Sequence, residues 1–520
     1  MTLLRAFLTV SAFTSLSRVF GFIRDILMAA ILGAGPLMEI FVVAFKLPNF
    51  FRRLFAEGAF NAAFVPMYAR LRSRDAEEAR RFSEQSLTVL CLVLLVFTVV
   101  MQFLMPWALY VLAPGFAPGS EKYSLAVQLC RVTFPYLLLI SIVSLLAGLL
   151  NSVGRYGSGA FAPVLLNLCM ITGLLLVDRL PGTAAHVLSY AVLIAGGVQL
   201  LWLMLAAKRA GILPRLVRPR LSPEVRQLFR RMVPGIIGSG IVQVNLWVDV
   251  MIATLIPGAV AYLYYADRLS QLPLAVIGTA VGTALLPMLA RQFEQNETEE
   301  ALQTQNQAIL LAMLFTLPAM VGLIVTAMPL IQTLFERGAF DAATSHATAW
   351  AMIAYAVGLP AFVLVKVLTP GFFANGDTKT PVKYAMVAML VNVVLNIVAV
   401  VVLRQLAFMP HMGIALATSI AAWLNVALLA RRLKQLGYFT LHPETRLRLW
   451  KCLFASGVCG LVLVGLLEVL PPFAGAGQGA RVLMVIALIS AGIVSYFMVV
   501  FLTGAYHFSQ LRRVLTRARK

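Results

Sequence analysis

The chain has 520 residues, of which 61% are apolar and 12% charged, and its formal net charge is +21. A soluble protein of this length carries about twice that share of charged residues, so the composition excludes the soluble globular classes. It predicts an all-α polytopic membrane protein. Basic chains also include nucleic-acid binders, but here the charges fall in short loops between apolar runs, so no nucleic-acid partner is expected.

Fourteen transmembrane helices are predicted, several of them longer than the roughly 20 residues that a bilayer requires. In chain order these spans cover residues 3–32, 37–70, 84–113, 121–152, 160–178, 183–208, 224–256, 259–292, 303–335, 341–374, 379–402, 411–435, 446–470 and 480–510. Most of the 42 lysines and arginines fall in alternate loops and in the C-terminal tail. The positive-inside rule therefore predicts that both termini are cytoplasmic.

The second half of the sequence echoes the first at a shift of six spans. The most distinct pairs are VPMYAR at 65–70 with LPMLAR at 286–291, and LAPGF at 112–116 with LFERGAF at 334–340. Six is an even number, so the two repeats have the same orientation in the membrane. This arrangement predicts two pseudo-symmetric six-helix lobes around a central cavity, plus two C-terminal helices, as expected of an alternating-access carrier. The predicted domains are 1–208, 209–435 and 436–520.

Away from the ends of the spans, eight basic residues lie within them, although a charge at membrane depth costs at least ~2.5 kcal/mol on insertion scales. They are Arg18, Arg24, Lys46, Arg52, Arg53, Arg131, Arg268 and Lys366. The acidic residues there are fewer: Asp25, Glu39, Glu57, Asp249 and Asp267, with Glu468 near a span end. Because guanidinium groups bind phosphate oxygens in bidentate fashion, the surplus predicts an anionic, phosphorylated substrate. The alternative is that the arginines belong to structural ion pairs, such as Arg24 with Asp25.

Asp249, in VNLWVD, and Asp377, in NGDTKTP, are the candidate residues for a coupling ion, either Na⁺ or a proton. Polar packing between helices is the alternative for both. The five cysteines and five histidines form no metal motif, and no nucleotide-binding loop is present, so no cofactor is expected. The chain also has no plausible pair of nucleophile and base, which argues against an enzyme.

Four segments together resemble the MurJ (MviN) family of lipid II flippases, within the multidrug/oligosaccharidyl-lipid/polysaccharide exporter superfamily. They are SRVFGFIRD at 17–25, FKLPNFFRRLFAEGAFNAAFVP at 45–66, YYADRLSQLP at 264–273 and DTKTPV at 377–382. The resemblance implies a bacterial cytoplasmic-membrane protein of peptidoglycan biosynthesis. Its substrate would be lipid II, the undecaprenyl-pyrophosphate disaccharide-pentapeptide, moved from the inner to the outer leaflet.

The resemblance also implies roles for individual residues. Arg18, Arg24, Arg52 and Arg268 would hold the pyrophosphate, and the flanking charged residues would be Asp25, Glu39, Lys46 and Arg53. Spans 13 and 14 resemble the pair that forms a hydrophobic groove for the lipid tail. Some members bind sodium, which would involve Asp249 and Asp377. Gln271 departs from the family, since an acidic residue is common three positions after the span-8 arginine.

Two other functions stay open from the residues alone. A flippase for another polyprenyl-pyrophosphate glycan would need the same arginines. A non-transporting scaffold for cell-wall synthesis proteins would not need them. A multidrug exporter of the same superfamily usually moves cations, which a cavity rich in arginine would repel.

Overall fold

The computed structural model describes residues 3–54, 60–405, 408–471, 473 and 475–506. Within these residues the only regular secondary structure is helical, which confirms the predicted all-α class. The chain forms two compact units, one made of Met1–Ala261 with Arg337–Phe340, and the other of Tyr262–Glu336 with Asp341–Lys520. The predicted domain boundaries at 208 and 435 stay predictions.

The first unit contains nine helices among the described residues: α1 (Leu3–Leu32), α2 (Pro36–Arg52), α3 (Asn61–Arg74), α4 (Ala76–Leu112), α5 (Glu121–Thr133), α6 (Tyr136–Ser152), α7 (Tyr156–Leu175), α8 (Ala184–Arg209) and α9 (Pro223–Thr254). Within it α7 packs between α1 and α8, and α2 packs on α5. The last helix, α9, packs on α2, α3 and α4.

The second unit continues with α10 (Ala259–Pro273), a π-helical turn, α11 (Thr279–Glu294), α12 (Thr298–Val325), α13 (Ala327–Leu334), α14 (Ala342–Phe373), α15 (Lys379–Gln405), α16 (Pro410–Gln435), α17 (Pro443–Val469) and α18 (Gln478–Leu502). Its interior packs α14 on α16 and α12. The C-terminal pair α17–α18 shares one buried apolar cluster with α12, which includes Leu314, Cys459 and Leu488. This pair is therefore part of the folded core of its unit.

The described residues of each predicted span fall mainly in one helix or in two consecutive helices. Among the described residues, ten helical segments are long and apolar enough to cross a bilayer, so the protein is a multi-pass membrane protein. Spans 1, 2, 7 and 8 fall outside those ten. Residues 55–59 of span 2 lie outside the described part of the chain, and span 8 contains a π-helical turn between α10 and α11, each of which is shorter than a bilayer requires. The number of fourteen crossings stays a prediction.

Prolines within the helices leave backbone carbonyl groups that need a hydrogen-bond donor from elsewhere. A proline has no N–H, so the carbonyl four residues earlier loses its helical donor. The Ala44 carbonyl, orphaned by Pro48 in α2, accepts instead from the Thr133 hydroxyl of α5 at 2.7 Å. In α4 the Gln102 carbonyl, orphaned by Pro106, accepts from Arg131 Nε at 2.9 Å.

The same solution appears in the second unit. Pro318 in α12 orphans the Leu314 carbonyl, which accepts from the buried Tyr496 hydroxyl of α18 at 2.6 Å. In each of these three cases the donor lies on a neighbouring helix. The helices that contain these prolines are therefore joined to their neighbours by side-chain hydrogen bonds.

Two segments that the sequence repeat pairs make corresponding backbone contacts in the first unit. The turn after α4 packs Gly115 on the Thr254 carbonyl at the end of α9, where a Cβ would overlap that carbonyl. In Arg337–Phe340, Gly338 has φ +57° and packs on the Ala30 carbonyl of α1, which also accepts from the Ala339 N–H at 2.8 Å. Because α1 and α9 are also repeat partners, the contacts support the predicted internal repeat.

Replacing Thr133 with valine tests the proline-linked hydrogen bond. Thr133→Val conserves the side-chain shape but leaves the Ala44 carbonyl buried without its donor, which costs about 1–3 kcal/mol. We expect a lower melting temperature in detergent for Thr133→Val, whereas the control Thr133→Ser keeps the hydroxyl and should unfold near the wild type. Equal melting temperatures for the valine and serine variants would contradict this role of the hydroxyl.

Candidate functional site

Arg24 and Asp25 form a buried ion pair on α1. Their side chains lie in the interior, with 7% and 2% of the residue surface exposed. Arg24 Nε and Nη2 donate to Asp25 Oδ1 at 3.0 and 2.7 Å. The remaining terminal nitrogen, Nη1, donates to Asn167 Oδ1 at 2.9 Å. The structural pairing that the sequence left open for Arg24 is thus present.

Asn167 of α7 forms hydrogen bonds with the SRVFGFIRD segment of α1. Its Nδ2 donates to the Ser17 carbonyl at 2.9 Å while its Oδ1 accepts from Arg24. Gly21 lies between these two contacts, and a Cβ there would sit 3.4 Å from the Asn167 amide nitrogen. The segment is therefore a polar joint between two helices, built around one amide side chain.

Arg18 differs from Arg24 in every respect that matters for ligand binding. It lies six residues earlier on α1 and is exposed. Within the described part of the chain, its guanidinium has no hydrogen bond or ion pair. A guanidinium in this condition is available to an external anion, because no carboxylate must be displaced first.

Glu39 is buried near the start of α2 and pairs with Lys122 of α5. Glu39 Oε2 lies 2.5 Å from Lys122 Nζ, and the same ammonium group lies 4.3 Å from the centre of the Phe116 ring. Lys122 lies at the very start of span 4 and is not among the eight basic residues predicted deeper within the spans. Since Glu39 is paired with this lysine, its carboxylate is not reserved for the arginines of the spans.

Three further basic residues lie along the second half of α2 and at its end. Lys46 and Arg52 are half-buried, whereas Arg53 is exposed. Consecutive residues on a helix point about 100° apart, which accounts for the different exposure of the two arginines. Glu57, a candidate counter-charge in the same sequence motif, lies outside the described residues.

In the second unit, Arg268 is half-buried on α10. Its guanidinium carbon lies 4.9 Å from the centre of the Tyr264 ring, one turn earlier. Gln271, three residues after Arg268, donates its amide to Asp267 Oδ2 at 2.5 Å. Asp267 thus has a neutral partner on its own helix.

The two candidate coupling-ion residues have different surroundings. Asp249 is buried on α9, two residues after Trp247, whose ring packs on Phe50 of α2 at 5.7 Å. Asp377 precedes α15 and its Oδ1 accepts from the backbone N–H groups of Lys379 and Thr380 at 3.1 and 2.9 Å. Among the described residues, no group of three or more metal-ligating side chains includes either aspartate.

Hydrogen bonding at this helix start also affects the charge of Asp377. The bond from the Thr380 side chain, together with those from the backbone N–H groups of Thr380 and Lys379, holds the pKa of the Asp377 carboxyl below its usual value. The carboxylate therefore stays ionised throughout the physiological range. Its geometry is that of a helix N-cap, which matches the structural alternative for this residue.

The sequence did not predict two of the side-chain partners in the structure, Lys122 for Glu39 and Asn167 for Arg24. Both had a visible signal. Lys122 begins span 4 on the same side of the membrane as Glu39 at the start of span 2, and Asn167 interrupts an otherwise apolar run in span 5. Periodicity and the order of the spans indicate how deep such residues lie in the membrane. They do not identify the neighbouring helix that each side chain contacts.

A double-mutant cycle on Arg24 and Asp25 tests whether the two act as a unit. Breaking a buried ion pair by removing one partner typically costs about 3–5 kcal/mol, while replacing both partners with apolar residues costs much less. We expect Asp25→Leu to lower the melting temperature more than the double variant Arg24→Met/Asp25→Leu, measured in detergent. Additive losses in the double variant would show that the two side chains contribute independently.

Substitutions of Asp377 separate its two interpretations. Asp377→Ala removes the N-cap and should cost about 0.5–2 kcal/mol, while Asp377→Asn retains a cap and should unfold near the wild type. The lowered pKa adds stability above the unfolded value of 3.8 that is lost as pH falls through the folded value. Melting curves at pH 5 and 8 should therefore show the same difference between the wild type and Asp377→Asn. If Na⁺ raised the melting temperature of the wild type but not that of Asp377→Asn, the ion-binding interpretation would be correct.

Comparison with known proteins places these residues in a family. The model of the family described as "Lipid II flippase MurJ" matches residues 28–477. A protein of Rhizobium tropici named "Probable lipid II flippase MurJ" is 42% identical, covering 100% of this chain and 98% of the relative.

Two solved structures share the fold. One, titled "Lipid II flippase MurJ, inward closed conformation", has a TM-score of 0.79 at 24% identity and covers 95% of this chain and 98% of its own. The other, an inward-facing multidrug resistance MATE family transporter of the MOP superfamily, has a TM-score of 0.62 at 15% identity, covering 85% and 98%. The family match and the full-length relative lead to one conclusion: the chain belongs to the lipid II flippase MurJ family.

Proposed function

We propose that this protein moves lipid II from the inner to the outer leaflet of the bacterial cytoplasmic membrane by alternating access. The observation that carries the proposal is the similarity to a named lipid II flippase along the entire chain, at 42% identity. The two sequence repeats add support, because paired six-helix repeats are the usual basis of alternating access. The protein acts as a transporter and not as an enzyme.

The pyrophosphate of lipid II is the chemical group that the basic residues suit. Arg18 is exposed on α1, and Arg52 and Arg268 are half-buried on α2 and α10. Each guanidinium can present two parallel N–H donors to phosphate oxygens. Arg24 is held by Asp25 and Asn167, so in this proposal it orients the segment that carries Arg18, and it reaches the headgroup only if Asp25 releases it.

The remaining charged residues take secondary roles in the proposal. Lys46 and Arg53 add positive potential along α2, and the Glu39–Lys122 pair holds the start of α2 against α5. Membrane lipids surround the protein, and cell-wall synthesis proteins are the partners that would consume the delivered lipid II. Both termini are cytoplasmic in this proposal, as the distribution of basic loops predicts.

Energy for transport comes, in this proposal, from ion gradients or the membrane potential rather than from a bound cofactor. Moving one elementary charge across 100 mV is worth about 2.3 kcal/mol. Asp249, buried on α9, is the preferred candidate for a coupling proton or Na⁺, since Asp377 already serves as an N-cap.

Depletion of the protein in its own cells tests the function directly. The readout is the fraction of lipid II that an externally added lipid II-cleaving enzyme can reach. In a strain without a second flippase, we expect lipid II to accumulate in the inner leaflet and the accessible fraction to fall. An unchanged accessible fraction would overturn the proposal.

A single substitution then tests the cationic site. Arg18→Gln removes an exposed charge, so protein abundance and melting temperature should stay near wild-type values while flipping falls at least tenfold, since charged hydrogen bonds are worth about 1.5–3 kcal/mol. The matched control is Arg155→Gln, an exposed arginine just before α7. Full flipping by Arg18→Gln would remove Arg18 from the site.

The two alternatives give different results in the same cells. A scaffold would tolerate Arg18→Gln and would leave the accessible fraction unchanged on depletion. A flippase for another polyprenyl-pyrophosphate glycan would respond to Arg18→Gln, but the lipid that accumulates in the inner leaflet would carry a different glycan. Mass spectrometry of the accumulated lipid distinguishes this case from lipid II.

A further inference from the structure

An apolar cavity of about 500 Å³ lies between α7 and α8 in the first unit. We call it the α7–α8 cleft. Its walls include Leu168, Cys169 and Thr172 of α7, Leu180 of the connecting turn, and Tyr190 and Ile194 of α8. Small residues at Gly173 and Ala191 let the two helices approach beneath the cleft. None of these residues belongs to the charged site of α1 and α2.

The cleft occupies a limited depth of the membrane. Its α7 wall runs from Leu168 to Leu176, about 12 Å along a helix axis. That is less than half of the ~30 Å hydrocarbon thickness of a bilayer. The basic ends of the same helices, near Arg155 and Lys208, are at the opposite side. The cleft therefore lies within the leaflet remote from the basic loops.

The cleft opens sideways onto the surface that faces the membrane. Tyr190 and Ile194 on its rim are 49% and 61% exposed. In a bilayer the medium around these side chains is hydrocarbon, so an apolar recess at this position is filled by a lipid chain rather than by water. Its depth fits part of one acyl chain.

A basic residue lies where the headgroup of such a lipid would be. Arg179 ends the short 3-10 turn Val177–Arg179, between the wall residues Leu176 and Leu180. It is exposed and, among the residues that the structure describes, its side chain has no ion pair. Its neighbour Asp178 is also exposed, so the turn has little net charge, and the guanidinium geometry favours phosphate.

We propose that the α7–α8 cleft binds one acyl chain of a membrane phospholipid, whose phosphate is held by Arg179. A structural lipid at this position would fill the recess between α7 and α8 in the leaflet remote from the basic loops. A phospholipid is the occupant because it surrounds the opening at high concentration, and because a 12 Å wall is far shorter than a polyprenyl chain.

Native mass spectrometry of the full-length protein in detergent tests the proposal. The delipidated protein is titrated with phosphatidylglycerol and, separately, with diacylglycerol, which has the same acyl chains but no phosphate. We expect phosphatidylglycerol to bind more tightly, and Arg179→Gln to weaken its tightest site about tenfold, as the loss of one charged hydrogen bond implies. Thr172→Trp fills the cleft from an exposed wall position and should remove one bound lipid of either type.

The control is Arg404→Gln, at the end of α15, which occupies the corresponding place six spans after Arg179. It should leave the tightest site unchanged. Equal weakening by Arg179→Gln and Arg404→Gln would mean a general charge effect, and an unchanged lipid count in Thr172→Trp would place the lipid elsewhere. Displacement of phosphatidylglycerol by a lower concentration of undecaprenyl phosphate would make the cleft a substrate site. Each of these three results would overturn the proposal.

Discussion

A proline in a membrane-spanning helix leaves one carbonyl without its hydrogen bond, and hydrocarbon provides no water to replace it. Much of this structure depends on how that demand is met. Thr133, Arg131 and Tyr496 each donate from a neighbouring helix to a carbonyl that a proline has orphaned. The proline-containing helices α2, α4 and α12 are thereby joined to α5 and α18 by side-chain hydrogen bonds.

The need to supply hydrogen bonds to these carbonyls also explains why some polar residues lie within the spans. Arg131 was one of eight basic residues predicted within the membrane, and its bond to the Gln102 carbonyl gives it a structural role. Tyr496 connects α18 to α12, where both belong to a shared buried cluster. The C-terminal pair therefore cannot be deleted without exposing part of the core, and point substitutions are the better probes of its function.

The charged residues of α1 and α2 show a second level of organisation. Arg24 and Asp25 neutralise each other in the interior and are joined to α7 through Asn167. Glu39 is paired with Lys122, a residue at the start of span 4. Pairing the acids in this way leaves the exposed Arg18 as the clearest candidate for an anionic headgroup, and it makes the surrounding polar contacts its support.

The sequence by itself determined the all-helical class, the order of the apolar spans, the internal repeat and the surplus of basic over acidic residues within the spans. Those properties follow from composition and periodicity, which are local and additive along the chain. Tertiary structure alone decided that Arg24 faces Asn167, that Glu39 faces Lys122, and that Thr133 serves the carbonyl freed by Pro48. It also decided where α7 and α8 leave a cleft. The physical reason is that each of these contacts joins residues from different helices, and the rotation of a helix about its axis is set by packing rather than by its own sequence.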